Sequence, residues 1–544
     1  MPNWSSLKHR WTPIVNLLKQ DTIAYSLLLG FSLLLRFWGL GRFNTLVFDE
    51  VYFANYGYNY LHHIPFFDIH PPLGKLLIAL GLHLAHFFSW GKTIVTTTEN
   101  WSLPSWHYRW FNAAIGSLIP LLGAALIQTV TRRKYYALIA GFLLALDGLL
   151  LVESRYALIN IYLIFFGLLG HYFFFQALLS SPPHQTPWKR SVGFTLAGLS
   201  LGACVSVKWN GLGFLLALYG LWGVGMLSYF WRSFHQSILK DALKNTLKNT
   251  LKTQLFPRFL HRLQPKPNES QSAPNLTDRL PAQTTHNPPP PALLQKISLL
   301  RPYHLFLYFG ILPAIVYRLQ WIPHLQISQD FNFWEVHRQI WSYNTNLGAG
   351  EKVHPYCSTW NTWPWLIRPI AYFFKEIKTP AEADLFGLSS THLPRIYDVH
   401  AIGNPFLWWC STLTVLGLVI ILYGSLVSSA QQSFTIPLER SLPRSEQDLL
   451  IYLLISYAAN WLPWALVSRC LYLYHYMPAS LFSFFALGWC IDRGLRSHHR
   501  FWQVMAWGVL ALVLFSFIYW LPIFLGLSVP PEAFHQRMWF RSWY

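Results

Sequence analysis

The sequence contains few charged residues. Asp, Glu, Lys and Arg make up 12% of its 544 residues, whereas about a quarter of the residues in soluble domains are charged. This scarcity excludes an ordinary soluble protein. Hydrophobic residues make up 53% of the chain, and apolar runs of about 20 residues, the length of a membrane-crossing helix, recur along it. The composition predicts an all-α integral membrane protein, because a span must satisfy its backbone polar groups internally.

Acidic residues are scarcer than basic ones. There are 22 Asp and Glu against 41 Lys and Arg, so the formal net charge is +19. In a soluble protein this excess would suggest nucleic-acid binding, but no basic patch lies on a folded soluble unit. Lys and Arg in cytoplasmic loops orient a membrane protein instead. We therefore predict that the protein lies in a lipid bilayer and does not bind nucleic acid.

Cysteine is also rare. The five cysteines are at positions 204, 357, 410, 470 and 490. Their spacing matches no metal-ligand motif, and most of them lie in apolar runs. We expect buried free thiols.

The apolar runs predict about eleven membrane spans. Basic residues before the first span place the N-terminus in the cytoplasm. Two long outer loops follow from this orientation, at 41–109 and 323–402, and residues 73–90 in the first loop predict an interfacial helix. A basic, proline-rich cytoplasmic insertion at 231–302 separates an N-terminal membrane module, 1–230, from a C-terminal one, 303–544. The predicted spans cover about 22–40, 110–130, 136–152, 157–179, 192–206, 210–230, 303–321, 404–429, 449–467, 471–491 and 502–524.

An adjacent pair of acids, Asp49 and Glu50, follows the first span. Carboxylates beside a membrane-length helix are costly to desolvate, so they stay at the water boundary or serve chemistry. One of the two could accept a proton while the other orients a basic group. The alternative is a helix N-cap with a charge at the positive end of the helix dipole. The local sequence favours neither interpretation over the other.

A second polar cluster, Asp68 and His70, precedes Pro71 and Pro72 in the same loop. Asp68 could orient His70. With His62 and His63 the cluster has enough ligands for a metal, but histidines at membrane interfaces are common without metals. We therefore predict no metal and no cofactor, and a divalent metal is the alternative.

Six basic residues lie near predicted outer helix ends, where the charge rule disfavours them. A lipid phosphate or similar anion would account for several of them at once. The alternative for any single one is a side chain that reaches to lipid headgroups. The six are Arg109, Arg155, Lys208, Arg338, Arg368 and Arg469.

The outer loops are rich in aromatic residues, which suit a sugar because Trp and Tyr faces stack on pyranose rings. Aromatic belts at the membrane interface are the alternative. Trp360, Trp363 and Trp365 lie in a proline-punctuated loop that is less typical of a belt. A transporter or flippase would show repeated halves and polar residues at mid-bilayer, whereas here no clear inverted repeat is seen and polar residues gather in the outer loops.

Seven stretches, taken together and in order, resemble the protein O-mannosyltransferases, which are polyprenyl-phosphate-mannose-dependent glycosyltransferases of the GT-C superfamily. The resemblance covers nearly the whole chain except 231–302. It is similar to the bacterial branch, because the MIR-type domain that eukaryotic members insert in the large outer loop is missing. The stretches are FDEVYFANYGYNYL…FFDIHPPLGKLL, YRWFNAAIGSLIPLL, ESRYALINIYLIFF, VSVKWNGLG, HPYCSTWNTWPWLIRP, GNPFLWW and SRCLYLYHYMPAS.

The resemblance implies a GT-C fold in the plasma membrane with an active site on the extracytoplasmic face. It also implies transfer of mannose from polyprenyl-phosphate-mannose to Ser or Thr of secreted or membrane proteins, which could be emerging from a secretion channel. The alternative within this fold is a lipid or glycan acceptor.

The family's acid pair falls on Asp49 and Glu50, with Asp49 the implied base of an inverting displacement. One carboxylate is enough, because the phosphate leaves already charged and needs no acid. Where the family usually has an acid stands Asn160, so a hydrogen-bonding role survives there and an ionic one does not. Carried over by motif, Arg109, Arg155, Lys208 and Arg469 are candidates for phosphate binding or helix-end structure, and His354, Tyr356, Trp360 and Trp363 for shaping the sugar or acceptor site.

Overall fold

The computed structural model describes residues 22–87, 94–179, 187–250, 293–350, 352–389, 391–431 and 442–544. The basic N-terminal segment, the end of the predicted interfacial helix and residues 251–292 of the predicted insertion lie outside the described residues.

Every predicted span overlaps at least one helix. The first three helices are α1 (Thr22–Phe37), α2 (Glu50–Leu61) and α3 (Leu73–Ala85). The second and third lie in the predicted first outer loop, and eight residues of α3 are buried in the protein interior. The remaining helices of the N-terminal half are α4 (Trp110–Thr131), α5 (Lys134–Ala145), α6 (Gly148–Arg155), α7 (Asn160–Leu179), α8 (Pro187–Val207) and α9 (Leu212–Thr250).

The C-terminal half alternates long apolar helices with short connecting ones. Its helices are α10 (Leu293–Ser298), α11 (Pro302–Ile327), α12 (Phe333–Asn346), α13 (Pro380–Leu385), α14 (Pro405–Gln431), α15 (Arg444–Trp461), α16 (Met477–Leu495), α17 (Arg500–Phe524) and α18 (Pro531–His535). Short 3-10 turns at Leu462–Leu466 and Leu473–Tyr476 lie on either side of the loop between α15 and α16.

Eight of the described helices are long and apolar enough to cross a membrane, or nine if the bent pair α5 and α6 counts as one span. Two other predicted spans are helical but are not among them. The first, α1, is shorter, and the second, α16, carries Asp492 and Arg493. The prediction of a helical, multi-span membrane protein is confirmed, and its number of about eleven is approximate.

The predicted span over 136–152 is bent. The chain bends by 60° between α5 and α6, and Asp147 caps α6 by accepting a hydrogen bond from the Leu150 N–H at 2.9 Å. Gly148 follows the bend, and a Cβ there would lie 2.3 Å from the Phe524 ring. As a result, Glu153 and Arg155 lie within a buried helix.

Two small antiparallel sheets lie largely in the predicted outer loops. In the first loop, β1 (Val95–Thr97) pairs with β2 (Ser102–Pro104). In the second, β3 (Ile370–Ile377) pairs with β4 (Arg395–Ala401), which also pairs with β5 (Ser528–Val529) near the C-terminus. The all-α prediction describes the spans but omits these strands.

The expectation of five free thiols is wrong for two cysteines. Cys357 and Cys470 form a disulfide, with 5.2 Å between their Cα atoms. They are 113 residues apart, so their spacing along the chain carries no sign of the pairing. The bridge joins the predicted second outer loop to the loop before α16, and beside it the Ser358 N–H donates to the Leu471 carbonyl at 2.8 Å.

Residues Leu221–Leu300 form a compact unit of their own, and the other described residues form a second one. Within the smaller unit, the Trp222 indole N–H donates to the Leu300 carbonyl at 3.0 Å.

Candidate functional site

Asp49 lies directly before α2, and its carboxylate does not cap the helix. Its backbone carbonyl accepts the first helical hydrogen bond, from the Phe53 N–H at 3.0 Å, but its side chain makes no capping hydrogen bond. Among the described residues, none donates a hydrogen bond to this carboxylate. The N-cap interpretation of the Asp49 side chain is therefore wrong.

The residue before Asp49 has a strained backbone. Phe48 has φ of +51°, a left-handed conformation that costs a residue with a side chain about 1–2 kcal/mol. Its ring stacks on the Tyr372 ring of β3, with 4.0 Å between centroids and 5° between planes. Strained backbone is typical of functional sites, and here the stacked ring from the second outer loop stabilises it.

Glu50, by contrast, is fully buried in an ion pair with Arg109. The guanidinium donates from Nε to Oε1 at 2.9 Å and from Nη2 to Oε2 at 2.7 Å. The carboxylate also accepts from the Val47 and Ala157 N–H groups, both at 2.8 Å. Glu50 therefore joins three separate parts of the chain, and its position fits a positioning role rather than proton transfer.

The same geometry corrects the phosphate-binding candidacy of Arg109. Its remaining donors go to the backbone carbonyls of Leu40, Phe43 and Thr45 at 3.0–3.5 Å, and its side chain is 0% exposed. A guanidinium enclosed in this way has no face for a ligand.

Arg155 is likewise structural. Its guanidinium is buried and donates to backbone carbonyls at the C-terminal end of α1. These include Leu35 in the last turn and Trp38 just after it, both at 2.9 Å. Helix C-termini leave such carbonyls unpaired. Arg155 is therefore a helix-end cation, one of the two roles expected for it, and not a ligand for phosphate.

Lys208 and Arg469 remain as cations of the site. Lys208 lies between α8 and α9, is 6% exposed, and its ammonium is 4.7 Å from the centroid of the Tyr474 ring. Burial and the nearby Arg469 lower the pKa of Lys208 to about 8, while the carboxylates of Glu153, Asp49 and Asp68 act in the opposite direction. Burial also lowers the pKa of the half-buried Arg469. Two cations and several acids thus converge from distant parts of the chain.

Asp49 belongs to this cluster. Burial raises the pKa of Asp49 to about 6, with the charge of Lys208 opposing the rise and Asp68 adding to it. A carboxyl group with a pKa in this range can exchange a proton near neutral pH.

The expectation that Asp68 orients His70 is wrong. Asp68 forms a buried ion pair with Lys75 of α3, and Lys75 also donates to the His70 carbonyl at 2.7 Å. Burial, followed by the charges of Lys208, Lys75 and Arg469, lowers the pKa of His70 well below its usual value, so its ring is neutral. Among the described residues, no carboxylate pairs with the His70 ring, and the charges of the cluster's cations act on it.

The alternative metal site is not assembled. Within the described part of the chain, no three His, Cys, Asp or Glu side chains are arranged to hold a metal ion. His62 and His63, which would have completed the set, are exposed.

Glu153 is a member of the cluster that the sequence analysis missed. It is 0% exposed, and its Oε1 accepts from the Tyr372 hydroxyl and from Asn160 Nδ2 at 3.2 Å. Asn160 Oδ1 in turn accepts from Lys208 Nζ at 3.3 Å, which matches the hydrogen-bonding role expected for it. An ionisable residue at the end of an apolar run was the available signal, because such residues are expensive in membranes and tend to be functional.

The four candidates of the second outer loop have different surroundings. His354 packs edge-on against Tyr472 at 5.3 Å, and its Nδ1 accepts from the Tyr356 N–H at 3.2 Å. Trp363 is 1% exposed and stacks on His475 at 6.1 Å, while Trp360 packs on Trp461 at 5.0 Å. The buried Trp363 supports the loop that carries the site and is not free to stack on a sugar.

The two other predicted outer cations, Arg338 and Arg368, have different surroundings from Lys208 and Arg469. Arg338 is exposed on α12, and Arg368 donates to the Pro355 carbonyl at 2.8 Å.

A mainly apolar cavity of about 1160 Å³ opens beside Lys208. Trp209, the next residue, is part of its wall, together with aromatic side chains from α9, α11, α12 and the Leu462–Leu466 turn. The Trp209 indole N–H donates to the Tyr317 hydroxyl at 2.9 Å, and Arg318 is the cation of the lining. Aromatic members of this wall include Tyr219, Phe309, Phe333 and Trp464.

Comparisons with known proteins agree with this architecture. Residues 26–267 match the family model described as dolichyl-phosphate-mannose-protein mannosyltransferase, and residues 331–543 match the C-terminal four-transmembrane region of protein-O-mannosyltransferase. A polyprenol-phosphate-mannose–protein mannosyltransferase of Mycolicibacterium smegmatis is 22% identical over 92% of this chain and 88% of its own. Protein O-mannosyl-transferase 1 of Homo sapiens is 31% identical over 34% of this chain and 25% of its own.

A solved structure shares the fold. The Saccharomyces cerevisiae protein O-mannosyltransferase Pmt1–Pmt2 complex, bound to the sugar donor, matches with a TM-score of 0.64 and 17% identity over 96% of this chain and 92% of that one.

Proposed function

The chain belongs to the protein O-mannosyltransferase family, and from that premise we propose that it transfers mannose from polyprenyl-phosphate-mannose to Ser or Thr hydroxyls of polypeptides, with Asp49 as the base. The observation that carries this proposal is the convergence at one site of an acid without hydrogen-bond donors among the described residues and two cations, Lys208 and Arg469. Family membership makes the chain a glycosyltransferase, and the site supports the residue roles.

In the proposed reaction, the acceptor hydroxyl oxygen attacks the anomeric carbon of mannose as its proton passes to Asp49. The bond between the anomeric carbon and the phosphate oxygen breaks, and the phosphate keeps the electron pair. Lys208 and Arg469 balance the charge that develops on it. Attack from the face opposite the leaving group inverts the anomeric configuration.

The chemistry requires no second carboxylate and no cofactor from this chain. The leaving phosphate is a stable anion, so protonation of the leaving oxygen is unnecessary. The charges of Lys208 and Arg469 contribute to the lowered pKa of His70, and the neutral ring adds no anion that would compete with the phosphate for them. The apolar cavity beside Lys208 has the size and lining to hold part of an isoprenoid chain.

The site is proposed to face the extracytoplasmic side of the plasma membrane. The disulfide between Cys357 and Cys470 supports this side, because disulfides persist in oxidising compartments. Acceptor polypeptides would then meet the enzyme on the outer face, where they could be emerging from a secretion channel.

A transfer assay tests the function and the base together. Membranes containing the protein receive labelled polyprenyl-phosphate-mannose and a Ser/Thr-rich peptide, and label in the peptide is the expected result. Asp49→Asn should lower the rate by about 10²–10⁴-fold, since it removes the base. Glu99→Gln is the matched control, because Glu99 is an exposed acid of the same loop.

Two outcomes contradict the proposal at different points. Label that accumulates only in lipid products would reject the polypeptide acceptor. Turnover of Asp49→Asn close to that of the Glu99→Gln control would reject Asp49 as the base and leave the family membership intact.

A further inference from the structure

Glu153 presents a buried carboxylate that the proposed reaction does not use. It lies near the C-terminal end of α6, the helix that follows the 60° bend, and is 0% exposed. Oε1 accepts from Tyr372 and Asn160, while Oε2 is buried without a hydrogen-bond partner among the described residues. A buried carboxylate oxygen without a partner is destabilising, so its presence calls for an explanation.

One amide links this carboxylate to the cation of the site. Asn160 donates from Nδ2 to Glu153 Oε1 at 3.2 Å and accepts at Oδ1 from Lys208 Nζ at 3.3 Å. The amide can bridge the two groups because it carries both a donor and an acceptor. The carboxylate of Glu153 only accepts and the ammonium of Lys208 only donates, so these two groups fix the direction of both hydrogen bonds to Asn160.

The charge balance around Lys208 makes Glu153 important. Four charged groups act on Lys208: Arg469 from the loop before α16, Glu153 from α6, and Asp49 and Asp68 from the first outer loop. The Tyr474 ring also packs against the Lys208 ammonium. His70 and His475 also sense its charge. Asp68 is already paired with Lys75, and Asp49 must accept a proton during transfer. Glu153 is therefore the acid near Lys208 that neither role occupies.

We propose that Glu153 is a positioning residue that acts through Asn160 to orient Lys208 and to hold its ammonium in the charged form for the donor phosphate. This inference rests on the proposed function and adds a residue to it. Glu153 does not touch the reacting atoms. Its carboxylate sustains a positive charge on a buried amine, which would otherwise lose its proton more easily.

Exchanging the acid and the amide across their hydrogen bond tests the inference. Glu153→Gln removes the charge with little change in shape, and Asn160→Asp in the same chain restores one carboxylate to the linkage, next to Lys208. The measurements are kcat/KM for polyprenyl-phosphate-mannose and its pH profile, with thermal unfolding in detergent as a check of folding. Glu99→Gln is again the control.

The single variant Glu153→Gln is expected to move the basic limb of the profile by about one pH unit toward lower pH, which lowers kcat/KM by about twofold at pH 7 and by about tenfold near pH 9. The double variant is expected to regain most of the activity and to move the basic limb back. A structural role alone would lower activity without moving this limb.

A basic limb of Glu153→Gln at the wild-type pH would overturn the inference, and so would a double variant that stays as impaired as the single one. Both results presuppose an active wild-type enzyme. A wild type that transfers no mannose to peptide contradicts the proposed function instead, so the two failures are distinguishable.

Discussion

Asp49 and Glu50 are adjacent in the chain, yet their carboxylates lie in different environments. Glu50 is enclosed by Arg109 and two backbone N–H groups, whereas Asp49 receives no hydrogen bond from the described residues and lies near Lys208. Because α2 begins between them, the two side chains leave the backbone in different directions. Environment, and not residue type, separates their proposed roles.

The pH dependence of transfer follows from Asp49 and Lys208. As a base, Asp49 must be deprotonated, so activity should fall as the pH drops through about 6, the raised pKa of Asp49. Lys208 must be protonated to bind phosphate, so activity should also fall as the pH rises through about 8, the lowered pKa of Lys208. We expect a bell-shaped profile of kcat/KM between these limbs.

The profile is measured with a fixed peptide and subsaturating donor from pH 5 to about 9.5, a range that covers both limbs. Lys208→Arg serves as a comparison, because a guanidinium stays charged throughout this range and should flatten the basic limb. A wild-type profile that rises without a maximum across the range would contradict the assignment of Lys208.

The Glu50–Arg109 pair is predicted to stabilise the folded protein. Glu50→Gln leaves a fully buried guanidinium without its counter-charge, and breaking a buried pair in this way costs about 3–5 kcal/mol. Thermal unfolding in detergent should show a clearly lower midpoint for Glu50→Gln, whereas Asp49→Asn should unfold near the wild-type temperature. Equal midpoints for Glu50→Gln and wild type would show that the pair is not structural.

At the scale of elements, the bend between α5 and α6 assembles the site. Asp147 accepts from the Leu150 N–H and, through Oδ1, from the Trp408 indole N–H at 2.7 Å. This cap starts a new helix in a different direction, and the new helix carries Glu153 toward Asn160 and Arg155 toward the end of α1. A straight span would have placed both residues elsewhere.

The disulfide between Cys357 and Cys470 also helps to assemble the site. It fixes the loop that carries Arg469, since Cys470 is the next residue and its N–H donates to the Gly348 carbonyl at 2.8 Å. Cys357→Ser should destabilise the protein by about 2–5 kcal/mol and weaken donor binding, because Arg469 loses its anchor. Thermal unfolding and KM for the donor measure the two effects.

Cys410→Ala is the control for the disulfide, as Cys410 is a free thiol. Reduction of the wild type with dithiothreitol should reproduce the effect of Cys357→Ser, and it should not change that variant further. Full activity and stability of Cys357→Ser would contradict the anchoring role.

At the scale of the whole molecule, the ends of the helices opposite the site are joined by ion pairs. Arg493 of α16 donates to Glu446 of α15 at 2.8 Å, and Arg496 donates to Asp492 within the end of α16 at 2.6 Å. Arg133, just before α5, also pairs with Glu446. The charge rule would place this basic side in the cytoplasm.

Labelling of intact cells tests that orientation. In a chain with Cys410 and Cys490 replaced by Ala, Leu385→Cys should react with a membrane-impermeant maleimide, because Leu385 is 72% exposed beside the proposed outer site. His498→Cys, in the exposed loop before α17, should react only after the membrane is opened. The reverse pattern would place the site in the cytoplasm.

Much of the architecture could be predicted from the sequence, and part of the site could not. Apolar runs located the long helices, and the motif resemblance named Asp49, Lys208 and Arg469 as candidates. The sequence does not distinguish the structural cations Arg109 and Arg155 from these residues, because all of them precede or follow apolar runs in the same way.

The sequence by itself determined the helices and the family, because hydropathy is a property of neighbouring residues and motifs are short. Only the tertiary structure decided which groups are partners, since Arg109, Tyr372 and Cys470, the partners of Glu50, Glu153 and Cys357, lie 59, 219 and 113 residues away from them. The state of an ionisable group depends on its burial and its spatial neighbours, and chain folding brings those neighbours together.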